Sequence, residues 1–254
     1  GEYFFGRDNT RIQNSNFQRN GRIRAEDAIR VSSNTFMSAM VGERLAKREN
    51  GLEIWDQYME QFGLGVSTES GLPNEIVGIK DYYHEQKTAS TLSALVRASW
   101  GQLGKYTTLQ LAQYTVMLAN RGERLQPQLV EKIVTPDGEE IQEAKRTVLN
   151  KVEIKDEYWD ILQRGMQRVF RTGFDDFPHD VAVKTGTSQQ GVAGQMVDNA
   201  VFIAYAPVDK PKLAIAVVVP EGGFGAYGAA PIARAIFDAY DEKIGLAETP
   251  QQAE

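Results

Sequence analysis

No cysteine occurs in the 254 residues of this chain. That excludes disulfides, thiolate metal sites and a cysteine nucleophile together, and it fits a protein working outside the cytoplasm without disulfides. Histidine is nearly as scarce. His84 and His179 stand without metal-ligand spacing, so both are expected at the surface. Long apolar runs are missing too. The longest, around residues 200–208 and 213–219, fall well short of the ~18 residues that a membrane span requires. The opening Gly1-Glu-Tyr-Phe-Phe lacks the charged start and apolar stretch of a signal peptide. Positive charge is not in excess. Lys and Arg number 28 against 34 Asp and Glu, the net charge is −6, and the basic residues are scattered, so nothing recommends nucleic acid as a partner. There is no internal repeat and no low-complexity segment. Gly104-Lys105 is followed by Tyr106 rather than Ser or Thr, so it is no phosphate loop.

What is present is ordinary globular material. Apolar residues make up 42% and charged residues 24%, enough for a core of one large α/β domain or two small ones. Residues 1–23 read as loop with one short strand. Residues 24–31 read as a helix with Glu26 and Asp27 in its first turn, where the helix dipole favours acids. Phe36, Met37, Met40, Val41 and Leu45 keep helical spacing, and residues 52–62 form a further helix closed by Gly63. Residues 65–78 are a loop, and 84–100 are ambiguous. In residues 106–120, Thr107 and Gln110 form a capping box and Leu111, Thr115 and Leu118 repeat at helical spacing. Residues 129–134 alternate as a strand, Thr135-Pro-Asp-Gly138 is a turn, and 139–150 return as the second arm. Residues 156–170 are helical, with Trp159, Leu162, Met166 and Val169 on one face. Strands follow at 181–187, 199–205 and 212–219. The last two form an antiparallel hairpin, because their connection is too short for a parallel crossover. A closing helix spans 229–240, and 246–254 is a polar tail. Trp55, Trp100 and Trp159 are expected in the core.

Two short motifs carry chemistry. The strand Val181-Ala-Val-Lys184-Thr185-Gly186-Thr187-Ser188-Gln189 contains Lys-Thr-Gly, and Ser32-Ser33-Asn34 is a Ser-x-Asn triplet. Each is common by chance. Ser-Ser-Asn at a helix start is ordinarily an N-cap, and a lysine at a strand end is ordinarily solvated. Together and in this order they are two of the three elements of serine penicillin-recognising enzymes. With the flanking Tyr106-Thr-Thr-Leu-Gln-Leu-Ala-Gln-Tyr114 and Ala229-Ala-Pro-Ile-Ala-Arg-Ala-Ile-Phe237, the chain resembles the transpeptidase domain of class B penicillin-binding proteins over residues 21–240.

Acyl transfer to a serine needs a deprotonated nucleophile, an adjacent base and donors facing the oxyanion. Ser32 offers a hydroxyl that relays a proton. Asn34 can orient a substrate amide. Lys184 supplies positive charge, and Gly186 lets the strand edge lie against a substrate backbone. The resemblance implies catalytic roles for Ser32, Asn34 and Lys184. It implies substrate binding by Thr185, Gly186 and Thr187, with an oxyanion-hole N–H at Thr187 and hydroxyl contacts to a substrate carboxylate. Gln189 is a further candidate for the cleft. The implied fold is α/β, an antiparallel sheet flanked by helices, of serine β-lactamase and transpeptidase type but incomplete. Residues 1–245 are expected to be the C-terminal part of that domain. The implied reaction is D,D-transpeptidation of peptidoglycan stem peptides, with β-lactams acylating the same serine and no metal or organic cofactor. The implied setting is the extracytoplasmic face of the cell membrane, with an anchor upstream and cell-wall glycosyltransferases as partners.

One departure matters. No serine of the chain has lysine three residues on. The nucleophile motif Ser-x-x-Lys is therefore expected upstream, in an N-terminal part of the same protein, and this chain alone is expected to be inactive. A β-lactam sensor of the same fold and a non-catalytic scaffold are the alternatives. A β-lactamase fits less well, since neither Glu26 nor Glu157 begins a Glu-x-x-x-Asn motif. Gly223-Phe-Gly225-Ala-Tyr-Gly228 matches Gly-x-Gly-x-x-Gly, but no second strand follows to bind a dinucleotide, so a flexible loop is expected.

Overall fold

The computed structural model describes residues 1–7, 9–169, 172–192 and 194–247. The first half runs β1 (Glu2–Phe5), β2 (Thr10–Gln13), α1 (Ala25–Arg30), α2 (Asn34–Met37), a π-helical turn (Ser38–Gly42), α3 (Glu43–Ala46), α4 (Gly51–Gln61), β3 (Ile79–Lys80), α5 (Tyr82–Thr88), α6 (Thr91–Ala98) and β4 (Gly104–Lys105). The second half runs α7 (Thr108–Ala119), β5 (Glu123–Leu125), β6 (Lys132–Val134), β7 (Glu140–Glu143), β8 (Val148–Lys151), α8 (Asp156–Gln167), β9 (Ala182–Val192), β10 (Gln195–Ala206), β11 (Leu213–Val219), α9 (Gly225–Gly228) and α10 (Ala230–Lys243). Among the described residues no helix is long and apolar enough to cross a membrane.

The site hangs on the sheet β11-β10-β9, antiparallel throughout. Side chains alternate between its faces. Val183, Phe202 and Ala204 pack with Ala230, Ala233 and Phe237 of α10. Ala182, Ile203 and Tyr205 face the other way, onto Met117 and Leu118 of α7 and Trp159 and Met166 of α8. Fully burying a side chain such as Phe202 contributes roughly 1.5–3 kcal/mol. Helices on both faces of an antiparallel sheet are the expected α/β arrangement. β9 and β10 run longer than expected, because Gln189↔Asp198 and Val192↔Gln195 continue the ladder beyond the end of β11. Gln189, Asp198 and Gln195 are polar, so no hydrophobic alternation marked this extension.

α7 starts on the expected capping box, Gln110 N–H to Thr107 Oγ1 (3.1 Å) and Thr107 N–H to Gln110 Oε1 (2.9 Å). Its buried face is more polar than the helical spacing suggested. Gln110 Nε2 donates to the carbonyls of Val66 and Val77, and Gln113 Nε2 to those of Thr68 and Leu125. Buried amides thus tie the loop at 65–78 to the core, which satisfies backbone groups that the loop could not pair itself. The ambiguous stretch resolves into α5 and α6, the latter capped by Ser90 Oγ accepting from Ser93 N–H (3.0 Å). β6 and β7 form the expected hairpin, while β8 pairs with β5 instead. In place of the single expected strand, β1 and β2 pair antiparallel; Phe5 and Ile12 pack on Val96 of α6.

Several expectations are corrected. Leu246, assigned to the polar tail, is 1% exposed and packs in the cluster around α10, with its N–H on Asp241 Oδ1 (2.7 Å). Residues 248–254 lie outside the described residues, as does Phe170 at the expected end of α8. His179 is half-buried, with Nε2 2.7 Å from Asp241 Oδ2, and ties the approach to β9 to α10. Trp159 is core as expected, whereas Trp55 and Trp100 are half-buried at cluster edges.

Candidate active site

The two serines of Ser32-Ser33 divide their work. α1 closes with Ser33 N–H on Ala28 O (2.9 Å) and Ser32 N–H on Ile29 O (3.2 Å). That pair of bonds places a left-handed residue after the helix, usually glycine. Here it is Ser32, at φ +51°. A residue with a Cβ in that conformation costs about 1–2 kcal/mol. Ser33 is buried and is the N-cap of α2, its Oγ accepting from Phe36 N–H (3.3 Å). The ordinary capping role thus falls to Ser33 and leaves Ser32 exposed.

Lys184 reaches that exposed hydroxyl. Its Nζ donates to Ser32 Oγ across 152 sequence positions, and also to the carbonyl of Thr185 (2.7 Å). Lys184 follows Ala182 on the α8 face of β9, one step past the core. Loss of hydration there lowers its pKa from 10.5 to about 8.

The approach of Ser32 to Lys184 depends on helix packing. α1 lies on α8, and α8 on β9. A Cβ at Gly165 of α8 would lie 2.9 Å from Glu26 O and 2.9 Å from Ile29 Cβ. Glycine inside a helix costs roughly 0.5–1 kcal/mol relative to alanine, and here it lets α1 sit close. Glu26 clamps the crossing, 3.0 Å from Arg164 and 3.6 Å from Arg168. Gly165 was missed from sequence, although a lone glycine inside an amphipathic helix pattern is itself a signal of close packing.

The other candidates take different places. Asn34 Nδ2 donates to Gln13 O (2.9 Å), which fixes how its amide is presented. Thr185, Gly186 and Thr187 lie along β9, opposite Phe202, Val201 and Ala200. β9 is one of the two edge strands of this sheet among the described residues, and Thr187 is exposed. Gln189 is exposed and engaged across the ladder with Asp198 (3.0 Å).

The glycine motif at 223–228 is a structural seat, not a flexible loop. Gly225 begins α9, and a Cβ on it would lie 2.3 Å from Val201 O and 2.6 Å from Gly186 O. Only glycine lets α9 press directly onto the backbone of the Lys-Thr-Gly strand.

A strand edge carrying Lys-Thr-Gly thus lies against a Ser-x-Asn turn. The chain belongs to the family described as "Penicillin binding protein transpeptidase domain", which it matches over residues 5–238. It is 34% identical over 231 residues to penicillin-binding protein 2A of Bacillus subtilis, covering 80% of this chain and 31% of that protein. Its fold matches penicillin-binding protein 2B of Streptococcus pneumoniae strain R6 with a TM-score of 0.77 and 30% identity, over 89% of this chain and 40% of that one. It also matches penicillin-binding protein A of M. tuberculosis, solved as a ceftriaxone acyl-enzyme complex, with a TM-score of 0.75 and 25% identity, over 91% of this chain and 52% of that one. The chain spans about a third of the length of the curated relatives it matches.

The left-handed serine leads to a prediction. Ser32→Gly in the whole protein relieves the strain and raises unfolding stability by about 0.5–1 kcal/mol, while it removes the hydroxyl that faces Lys184. Denaturant melts and penicillin labelling should move in opposite directions. Loss of both together would refute the strain assignment.

Proposed function

We propose that the protein containing this chain is a peptidoglycan D,D-transpeptidase at the outer face of the cytoplasmic membrane, acylated at one serine by stem peptides and by β-lactams. The observation that carries this reading is the contact between Lys184 Nζ and Ser32 Oγ, two motifs 152 positions apart brought to one point. No serine of the chain has lysine three residues on. The acylated serine and its activating lysine are therefore assigned to a part of the protein that this chain does not contain, and the chain alone is assigned no activity.

In this reading the serine Oγ attacks the carbonyl carbon of the penultimate D-alanine. Its C–N bond breaks, the amine takes a proton, and D-alanine leaves. An amine of a second stem then attacks the ester carbonyl, the C–O bond breaks, and the serine regains its proton. Ser32 passes the proton at the leaving amine. Lys184 holds Ser32 and attracts the substrate carboxylate. Asn34 orients the substrate amide, and the N–H of Thr187 faces the oxyanion. Gly186 keeps the strand edge open. Gln189, held by Asp198, borders the cleft. The upstream part of the same protein and a cell-wall glycosyltransferase are the partners this reading assigns.

The hydroxyls supply the test. Thr185→Val and Thr187→Val keep shape and remove one hydrogen bond to a charged group, worth roughly 1.5–3 kcal/mol, or about tenfold and upward in rate. Acylation by benzylpenicillin should fall by that factor, and acylation by an analogue lacking the carboxylate by much less. Equal losses for both ligands would mean that the hydroxyls are structural.

A further inference from the structure

Asn14 lies just past the end of β2, remote in sequence from both motifs, and is 5% exposed. Its Oδ1 accepts from Thr35 N–H (3.1 Å), Thr35 Oγ1 (3.3 Å) and Ser33 Oγ (3.3 Å), and its Nδ2 donates to Gln18 O (3.0 Å). A main-chain N–H only donates and a carbonyl only accepts, so these partners fix which way the amide points. The neighbouring Gln13 carbonyl holds Asn34 Nδ2 (2.9 Å). Ser33 and Thr35 are thus tied to Asn14, and Asn34 to Gln13, two consecutive residues at the end of the N-terminal hairpin.

Ser32 is the residue this arrangement constrains. On one side the closing bonds of α1 hold its backbone, and on the other Ser33, Asn34 and Thr35 are anchored. A left-handed backbone with a side chain persists only where the surroundings over-determine it. Without the Asn14 anchor, the turn can relax toward ordinary backbone and swing the Ser32 hydroxyl away from Lys184.

We propose that Asn14 is a positioning residue for this site, holding the Ser32–Asn34 turn in the geometry that acyl transfer uses. The proposal rests on the transpeptidase reading above. Asn14 touches no reacting atom; it acts through Ser33 and Thr35 on the Ser32 hydroxyl.

The test measures the acylation rate of the whole protein with fluorescent penicillin, well below its melting point and normalised to folded protein. Wild type, Asn14→Ala and Asn14→Asp are compared, each also with Ser32→Ala. Displacement of a reacting group by an ångström costs up to ~10²-fold, so Asn14→Ala should lose roughly tenfold or more. Asn14→Asp keeps the acceptor oxygen for Thr35 and Ser33 but cannot donate to Gln18 O. Its rate should recover to within about threefold of wild type while its melting temperature stays low, since a carboxylate accepts such bonds strongly. With Ser32 already alanine, Asn14→Ala should add little, because the two changes act through one hydroxyl. A wild-type rate in Asn14→Ala would overturn the proposal. So would an Asn14→Asp rate that falls in step with stability, or a full loss on top of Ser32→Ala. If Asn14→Ala does not fold, the split between rate and melting in Asn14→Asp decides alone. Wild-type protein that takes no label would instead bring down the transpeptidase reading, and this proposal with it.

Discussion

Replacing Lys184 by alanine in the whole protein is expected to lower the acylation rate by roughly 10²–10⁴-fold, the range in which a positioned proton-transfer partner contributes, while the domain stays folded. The side chain spans from β9 to the Ser32 turn and lies outside both apolar clusters of the sheet. Lys184→Arg should fail as well, because a planar fork cannot replace a compact ammonium between Ser32 Oγ and Thr185 O. The depressed pKa adds a pH signature. With a pKa of about 8, Lys184 is mostly charged at neutral pH and loses its charge as pH rises through 8. Acylation by carboxylate-bearing penicillins should decline on that limb.

The same shift has a stability consequence of fixed sign. The folded-state pKa lies below the unfolded value of 10.5, so folding disfavours the charged form. Between about 8 and 10.5 the unfolded chain holds a proton that the folded chain has released, and stability rises with pH. The cost is complete below about 8. Lys184→Met should therefore melt above wild type at pH 7, with the gap closing as pH approaches 10.5. A gap that widens with pH would contradict the desolvated placement.

The second large effect is expected at Gly225. A methyl group there would press on Val201 O at 2.3 Å and Gly186 O at 2.6 Å, both main-chain atoms that no rotamer change can move aside. Overpacking of this kind costs about 1–3 kcal/mol, occasionally more, and here the strain falls on the strand that carries Lys184 and Thr187. Gly225→Ala should lower both melting temperature and acylation. Gly223→Ala serves as the comparison, because its neighbourhood is open and its cost comes from φ +71° alone. If Gly223→Ala hurt acylation more than Gly225→Ala, the seating role would be wrong.

How much was legible in the sequence differs by element. The strands around residues 182–187, 199–205 and 213–219 announced themselves through apolar β-branched runs, and α7 through its capping box, because those signals are local. Ser32 and Lys184 were legible as motifs, but only packing of α1 on α8 and α8 on β9 brings them together, through Gly165. The buried polar anchors were not legible. Asn14, Gln110 and Gln113 look like surface residues until the loops that need their hydrogen bonds are in place. Leu246 looked like tail because burial by α10 leaves no periodic trace in one residue. The glycines at 223–228 were noticed, but a sequence does not separate a glycine that flexes from one against which a strand is pressed.

Intact-mass spectrometry of the whole protein incubated with benzylpenicillin, followed by peptide mapping, locates the acylated serine and shows whether acylation needs Lys184. Wild-type protein should carry a single penicilloyl adduct, on a serine outside these 254 residues, and Lys184→Ala should carry none over the same interval. An adduct on Ser32 itself, or labelling of Lys184→Ala at the wild-type rate, would contradict the roles assigned to Ser32 and Lys184.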